Sequence, residues 1–205
     1  MRTPRSRCGV LLAGGASSRF AGPPKGLAPF GSVRLADVAL AALVGTCDQV
    51  VIAANDPDAE RWFPGYRIAR DVVPGRGALS AVETALLSAE DDTVVICAWD
   101  MPFVTVAVLE ALATVVERGA RACVPQHSTG TYEPLCAAYD PSCANVVASL
   151  LAAGERAART LVDACGAEAW PIVATDEDVF FSVNTVDDLK RADGLRMMHP
   201  GVLSR

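Results

Sequence analysis

The sequence has few histidines and no run of basic residues, and each shortage argues against a class of function. Lys and Arg number 18 against 24 Asp and Glu, so the formal net charge is −6. A nucleic-acid backbone would be repelled at long range, and no local basic cluster could overcome this. The only histidines are His127 and His199, which argues against a His/Cys zinc site. His127 lies in a polar loop and is expected to be solvated. We therefore predict no nucleic-acid partner.

Long apolar segments and paired cysteines are also missing. No unbroken apolar run approaches the roughly 18 residues of a membrane-spanning helix. The apolar run at residues 10–13 is too short for the core of a signal peptide. The cysteines number seven, which is odd, and no CxxC pair occurs. We expect buried, reduced thiols, no membrane partner and a cytoplasmic location.

What the sequence does contain is a regular alternation of short apolar runs and longer segments with helical spacing, which is typical of βαβ units around a parallel sheet. The predicted strands cover residues 8–13, 49–54, 66–69, 93–98, 122–124 and 133–139, with two further candidates at 172–174 and 179–183. The predicted helices cover residues 36–44, 78–89, 105–117, 141–152 and 155–165, with a last one starting at Thr185. We predict a single domain over residues 1–193, followed by a loose tail over residues 194–205.

A glycine-rich loop follows the first predicted strand. Gly14 and Gly15 lack side chains, so their backbone N–H groups could approach a phosphate. Arg19 and Lys25 could add positive charge to the same oxygens, although the loop could equally be a turn with two solvated basic residues. A Walker A loop is excluded because Gly26, rather than Ser or Thr, follows the lysine. The spacing of the dinucleotide-binding fingerprint is absent as well.

Asp100 comes just after the apolar segment at residues 93–98. In an open α/β sheet such a position lies at the carboxyl end of a strand, where ligands bind. Mg²⁺ prefers one or two carboxylates together with phosphate oxygens, and Asp100 could supply one of them. The alternative is a turn aspartate, since Asp-x-Pro is common in turns.

Taken in order, the motifs resemble those of the nucleotidyltransferase family that contains the molybdenum cofactor guanylyltransferases, commonly called MobA. The resemblance covers most of the chain, and its specificity comes from the order of the whole set rather than from any one motif. The matching segments are Leu12-Ala13-Gly14-Gly15 with Arg19 and Lys25, Ala53-Ala54-Asn55, Asp71, Gly75-Arg76-Gly77-Ala78-Leu79-Ser80-Ala81 (without the proline usual in that stretch), Trp99-Asp100-Met101-Pro102-Phe103, Glu133-Pro134-Leu135-Cys136-Ala137, Ala153-Gly154-Glu155-Arg156, and Phe180-Phe181-Ser182-Val183-Asn184-Thr185.

This resemblance implies both a fold and a reaction. The fold would be a Rossmann-like, three-layer α/β/α arrangement with a mostly parallel central sheet. The reaction would transfer GMP from GTP to molybdopterin, with Mg²⁺ as cofactor and pyrophosphate as the leaving group. The implied partners are GTP, a phosphorylated small-molecule acceptor and other proteins of cofactor biosynthesis. We expect a monomer or a weak homo-oligomer.

The resemblance also implies a role for individual residues. Catalysis would involve Arg19, Lys25 and Asp100, and Asp100 would hold the metal. The acceptor would be bound by Arg156, Ser182 and Asn184. The nucleotide would be bound by Leu12, Ala13, Gly14, Gly15, Lys25, Asn55, Asp71 and Asp100. Asn55 and Asp71 could instead be turn residues, Asn184 a helix cap and Arg156 a solvated charge.

Several positions depart from the family pattern. Ser182 replaces an asparagine, which puts the acceptor-binding role of that position in doubt because a hydroxyl is shorter than a carboxamide. Trp99 replaces a small residue before the aspartate, and Val33-Arg34 replaces a Pro-Leu pair.

Three other functions remain open at this point. A cytidylyltransferase of the same fold would share the first loop, but such relatives usually begin Leu-Ala-Ala-Gly rather than Leu-Ala-Gly-Gly. Sugar-1-phosphate nucleotidyltransferases are typically longer. A non-catalytic nucleotide-binding protein is the third alternative, and the presence of Arg19, Lys25 and Asp100 argues against it.

Overall fold

The computed structural model describes residues 6–14, which contain the first strand, and residues 24–198, which contain the other strands and the helices. The strands are β1 Arg7–Leu12, β2 Pro29–Phe30, β3 Val33–Arg34, β4 Gln49–Ala53, β5 Arg67–Ala69, β6 Thr93–Ala98, β7 Ala122–Gln126, β8 Cys136–Tyr139 and β9 Glu168–Pro171. The helices are α1 Leu35–Thr46, α2 Ala59–Trp62, α3 Ala78–Ser88, α4 Val106–Glu117, α5 Cys143–Ala152, α6 Arg159–Cys165 and α7 Val186–Met198. Two 3₁₀ turns cover Lys25–Leu27 and Ala174–Phe180.

The strands other than β2 and β3 form a seven-stranded sheet in the order β5-β4-β1-β6-β8-β7-β9. Strands β5, β4, β1 and β6 are mutually parallel, and β8 runs antiparallel to both β6 and β7. At the carboxyl edge, Leu12 of β1 lies between Ala53 of β4 and Ala98 of β6. The predicted mostly parallel central sheet is confirmed.

Helices cover both faces of this sheet, which makes the fold three-layered as the resemblance implied. Val10 of β1 packs with Leu79 of α3 and Leu151 of α5 in one buried cluster. Leu11, the next residue, packs with Leu43 of α1 on the opposite face. Because neighbouring side chains of a strand point to opposite faces, a strand covered on both sides must be apolar throughout. This explains the continuous apolar runs of the central strands.

Two predicted strands near the C-terminal end are wrong. Residues 172–174 and 179–183 contain no strand, and the segment Ala174–Phe180 is a 3₁₀ turn. The strand of this region is β9, which pairs with β7 at the edge of the sheet. Three of its residues are exposed, so β9 lacks the apolar run by which a strand is found in a sequence.

The predicted start of the C-terminal tail is also wrong, because α7 continues through residues 194–198. Leu195 packs against the small cluster that contains Phe30 and Val183. The guanidinium of Arg196 lies 5.5 Å from the centre of the Phe30 ring. These tertiary contacts extend the helix where the sequence has no clear period. Residues 199–205 of the predicted tail lie outside the described part of the chain.

All seven cysteines are free, as expected, and six of them are buried while Cys47 is half-buried. Burial raises the pKa of the Cys8 thiol to about 11. The pKa of Cys47 and of Cys123 is raised to about 12 by the same cause. Within residues 6–14 and 24–198, no helix has the length and apolar character needed to cross a membrane.

Candidate functional site

Polar residues from five strands meet at one edge of the sheet. Asp71, Asn55, Gly14 and Asp100 follow the parallel strands β5, β4, β1 and β6. Since β8 is antiparallel to β6, its beginning lies at the same edge, and Glu133 precedes it there. These residues line a cavity of about 870 Å³. The carboxyl ends of parallel strands are where ligands bind in open α/β sheets.

Most of the site residues predicted from the sequence line this cavity: Leu12, Gly14, Lys25, Asn55, Asp71, Asp100, Ser182 and Asn184. Ala13 is only 2% exposed and is not a lining residue. Its N–H donates to the carbonyl of Ala53 at 2.9 Å, so its backbone extends the sheet by one hydrogen bond. Gly15 and Arg19 lie outside the described residues.

The structure does not bring Arg156 to the cavity wall. Its guanidinium donates to the carbonyl of Glu155 at 2.7 Å, and its own carbonyl accepts the N–H of Leu79 at 3.0 Å. Gly77 packs against this backbone, because a Cβ added there would lie 2.8 Å from the Arg156 carbonyl oxygen. Arg159, at the start of α6, is the cationic side chain from this segment that lines the cavity.

Lys25, Asp100 and Asn184 form the centre of the site. The ammonium of Lys25 donates to the carboxylate of Asp100 and, at 2.8 Å, to Oδ1 of Asn184. The side chains of Lys25 and Asp100 are only 12% and 8% exposed. The charge on Asp100 is therefore shielded from water and balanced by the lysine.

Two side-chain oxygens thus converge on one positive charge, and a divalent cation bound there would use the same oxygens as ligands. Among the residues described, no group of three or more His, Cys, Asp or Glu side chains could hold a metal. An ion at Asp100 would therefore need phosphate oxygens and water to complete its coordination. Mg²⁺ is normally bound in this way, through one or two carboxylates and substrate phosphates. The oxygen donors of this site fit Mg²⁺.

Asn184 is positioned by the beginning of α7. The N–H groups of Asn184 and Thr185 donate to the carboxylate of Asp188 at 3.0 and 2.8 Å. The Thr185 hydroxyl accepts the N–H of Asp188 at 3.1 Å, which completes a capping box. The hydrogen bond with Thr185 is the main cause that lowers the pKa of Asp188. Because Thr185 caps the helix, the carboxamide of Asn184 can extend towards Lys25.

The nucleotide end of the predicted site contains a reciprocal pair of hydrogen bonds. The Asn55 side-chain amide donates to Oδ2 of Asp71, and the Asp71 N–H donates to Oδ1 of Asn55, both at 2.9 Å. The hydroxyl of Thr84 donates to Oδ1 of Asp71 at 2.7 Å. Thr84 lies on α3, is 3% exposed and was missed from the sequence. Its spacing from Ser80, another buried hydroxyl four residues earlier, was the available signal.

Glu133 and His127 form a second pair that the sequence did not reveal. His127 Nε2 lies 3.0 Å from Oε1 of Glu133, and the two side chains are 23% and 26% exposed. The rings of His127 and Phe180 pack edge to face, with ring centres 6.4 Å apart and an interplanar angle of 79°. The expectation of a solvated His127 is therefore wrong. Burial raises the pKa of Glu133, and the charge of Asp100 adds to this, whereas His127 opposes it.

Trp99, the large residue before Asp100, is accommodated by a glycine. A Cβ at Gly26 would overlap the indole ring of Trp99. The same ring packs near Trp62, with ring centres 6.3 Å apart. The substitution of a small residue by tryptophan therefore fills the space beneath the Lys25–Leu27 turn.

Comparison with known proteins assigns the fold to a family. The sequence model of the MobA-like NTP transferase domain matches residues 9–176. The chain belongs to this family. It is 30% identical over 191 residues to the molybdenum cofactor guanylyltransferase of Desulfosudis oleivorans, which covers 90% of this chain and 93% of that protein. The family is one of nucleotidyltransferases, so the chain is an enzyme of this class.

Solved structures agree with the family assignment. The molybdopterin-guanine dinucleotide biosynthesis protein A of Archaeoglobus fulgidus superposes with a TM-score of 0.79 and 28% identity, over 93% of this chain and 99% of that one. The 2-C-methyl-D-erythritol 4-phosphate cytidylyltransferase of Thermus thermophilus has a TM-score of 0.65 and 19% identity, over 92% and 98%. At that identity the second likeness concerns the fold alone.

Proposed function

We propose that this enzyme transfers GMP from GTP to a phosphate group of molybdopterin and releases pyrophosphate. The observation that carries the proposal is the order of groups along the sheet edge. A hydrogen-bonded carboxylate stands at β5, the Lys25–Asp100–Asn184 cluster at the centre, and Glu133 at β8. One edge thus provides separate places for a base, a polyphosphate and an acceptor. The relative named as a molybdenum cofactor guanylyltransferase and the solved molybdopterin-guanine dinucleotide biosynthesis protein support the same reaction.

Guanine suits the Asn55–Asp71 end because of its hydrogen-bond donors. Asp71 accepts from Thr84 on one oxygen and from Asn55 on the other, and a carboxylate has about four lone-pair sites. The unused sites can accept the N1–H and the 2-amino group of guanine together. Cytosine has a single amino donor beside two acceptors, which a carboxylate would repel. This favours GTP over the CTP of the cytidylyltransferase alternative.

Lys25 would exchange partners when the triphosphate binds. Its ammonium neutralises Asp100 in the structure, and phosphate oxygens would compete for the same donor. Asp100 and Asn184 would then hold Mg²⁺, which supplies positive charge to the α-phosphate when it is bound. At the end of β1 the backbone of Gly14 could be approached by phosphate, since an added Cβ there would meet no atom of residues 6–14 and 24–198 within 4 Å.

The chemical step needs no protein nucleophile. An oxygen of the acceptor phosphate, already anionic, would bond to the α-phosphorus of GTP. The bond from that phosphorus to the β-bridging oxygen would break, and pyrophosphate would leave with the electron pair. The residues of the site contribute by positioning both substrates and by balancing charge. The reduced, buried thiols are consistent with the predicted cytoplasmic location, and the oligomeric state and protein partners stay predictions.

The experiment is pyrophosphate release with Mg²⁺, molybdopterin and each of the four NTPs. We expect turnover with GTP, and we expect Asp100→Asn to lower kcat by about a hundredfold or more, because several kcal/mol of charge stabilisation would be lost. Circular dichroism would confirm that the variant is folded. Turnover with CTP alone would support a cytidylyltransferase instead. Binding of GTP without any turnover would support a non-catalytic binding protein.

A further inference from the structure

Glu133 stands on the opposite side of Asp100 from the proposed guanine end of the cavity. The sheet order places β6 between β1 and β8, so Asp71 and Asn55 lie on one side of Asp100 and Glu133 on the other. A nucleotide whose base contacts Asp71 and whose phosphates reach Asp100 would leave Glu133 to the second substrate. The question is which part of that substrate a carboxylate can bind.

The backbone and side chain of Glu133 are both held in place. Its N–H donates to the carbonyl of Pro125 at 3.0 Å, and its carbonyl accepts the N–H of Cys136 at 3.1 Å. His127 contacts one carboxylate oxygen, Oε1, at 3.0 Å. His127 is itself fixed in a turn, since its N–H donates to the carbonyl of Thr131 at 2.8 Å. The carboxylate is therefore presented to the cavity with little rotational freedom, and Oε2 is left without a protein donor among the described residues.

The charge of Glu133 decides what it can bind. A phosphate group would be repelled by the carboxylate of Glu133, so this position does not suit the acceptor's phosphate. Neutral N–H donors are the complementary groups, and two adjacent donors in one plane suit a carboxylate best. A pterin ring has such a pair, the N3–H and the 2-amino group. Tyr132 also lines this part of the cavity and offers an aromatic surface next to the carboxylate.

We propose that Glu133, positioned by His127, binds the N3–H and 2-amino edge of the acceptor's pterin ring. The inference rests on the proposed function, because it assigns the ring end of that acceptor. Guanine and pterin share this donor edge, and the cavity has a supported carboxylate at each end: Asp71 with Thr84 and Asn55, and Glu133 with His127. Each carboxylate would accept hydrogen bonds from one ring of the dinucleotide product.

The test compares two probes that differ only at the ring edge. One is 6-hydroxymethylpterin, and the other is 6-hydroxymethyllumazine, in which a carbonyl replaces the 2-amino group. Their dissociation constants would be measured by fluorescence with the full-length protein in the presence of GTP and Mg²⁺. We expect the wild-type protein to prefer the pterin by about tenfold or more, the range for hydrogen bonds to a charged group.

Glu133→Gln should remove this preference for the pterin, while the affinity for GTP and the Mg²⁺ concentration needed for GTP binding stay unchanged. His127→Phe should reduce the preference in part, since it frees the carboxylate without removing it. Glu90→Gln is the matched control, because Glu90 is exposed and precedes β6 at the opposite edge of the sheet. The control should keep the full pterin preference.

Two results would overturn the inference. One is a ratio of the pterin and lumazine dissociation constants that is the same in wild type and Glu133→Gln. The other is a Glu133→Gln protein that binds the pterin normally but needs a different Mg²⁺ concentration for GTP binding, which would assign Glu133 to the metal. Failure of the proposed function looks different. In that case the wild-type protein would show no turnover with GTP and molybdopterin and no binding of the pterin, whatever residue stands at 133.

Discussion

Lys25 and Asp100 neutralise each other inside the cavity, and this pairing makes each residue's contribution depend on the other. The pair is nearly buried, so removing one partner leaves a poorly hydrated charge. The loop lysine is thus more than a solvated charge, which was the alternative to a phosphate contact at its position in the sequence. Any cation that binds Asp100 must compete with the lysine.

Removal of this lysine should therefore strengthen the response to Mg²⁺. In Lys25→Ala the Asp100 carboxylate loses its partner, so thermal stability should fall and added Mg²⁺ should raise the Tm more than it does in the wild type. GTP binding should weaken by about 1.5–3 kcal/mol, the value for a hydrogen bond to a charged group. Lys190→Ala is the control, because Lys190 is 74% exposed and pairs with Asp187 outside the cavity. The same Mg²⁺ response in wild type and Lys25→Ala would mean that the ion binds elsewhere.

The Thr84 hydroxyl is the other single group with a measurable consequence. Thr84→Val keeps the shape but removes the donor to Asp71, so affinity for GTP should fall by about 1 kcal/mol, roughly fivefold. Thr84→Ser should retain most of the affinity. Thr93→Val is a matched control, since the buried Thr93 hydroxyl has no hydrogen-bond partner in the described part of the chain. Isothermal titration calorimetry would measure the affinity of all three variants for GTP. An equal loss of GTP affinity in Thr93→Val would indicate a general effect of packing.

At the level of elements, the sequence predicts the long, buried elements best and misses several that are short or exposed. Strand β6 was predicted at its observed bounds, because all of its residues are buried and all except Thr93 are apolar. Strand β9 was missed because it is an exposed edge strand, and the hairpin of β2 and β3 was missed because each strand has only two residues. Such short elements depend on tertiary contacts, which leave no period in the sequence.

The 3₁₀ turn Lys25–Leu27 provides a prediction at this scale. Gly26→Ala places a methyl group into the Trp99 ring, and overpacking of this kind typically costs about 1–3 kcal/mol of unfolding free energy. The loss should be smaller when Trp99→Ala is already present, because the space is then open. Urea unfolding of the wild type, the two single variants and the double variant would give the coupling free energy between residues 26 and 99.

Gly194→Ala is the appropriate control for a glycine substitution. It lies in α7, and an added Cβ there would meet no atom of the described residues within 4 Å. We expect this control to be neutral or stabilising, since alanine favours a helix over glycine. If Gly26→Ala lowers the free energy of unfolding equally with Trp or Ala at position 99, the proposed packing of the turn on Trp99 is contradicted.

For the whole molecule, the site is assembled from segments that are distant in the sequence. Asn55, Asp71 and Asp100 were predictable because each follows a strand or an apolar run that ends at the same sheet edge. Glu133 was not, because it precedes a strand, and only the antiparallel direction of β8 brings it to that edge. Sequence motifs thus identified the nucleotide half of the cavity better than the acceptor half.

Ligand binding should stabilise the whole fold, since the cavity joins residues from position 12 to position 184. With Mg²⁺ present, GTP at a hundred times its Kd should add about 2.7 kcal/mol. For a chain of this size that is a rise in Tm of about 5–11 °C. CTP, UTP and ATP at equal concentration should raise the Tm less, because their bases lack guanine's paired donors. A shift with CTP as large as with GTP would contradict the assignment of guanine to Asp71.

The burial of the cysteines has a practical consequence for such measurements. Alkylating reagents react with thiolates, and burial both hinders access and, for Cys8, Cys47 and Cys123, raises the pKa to about 11 or 12. A cysteine introduced at an exposed position such as Glu90 would react much faster at neutral pH than the native thiols. A fluorophore or spin label could therefore be attached at one chosen point without first replacing the seven native cysteines, six of which are buried.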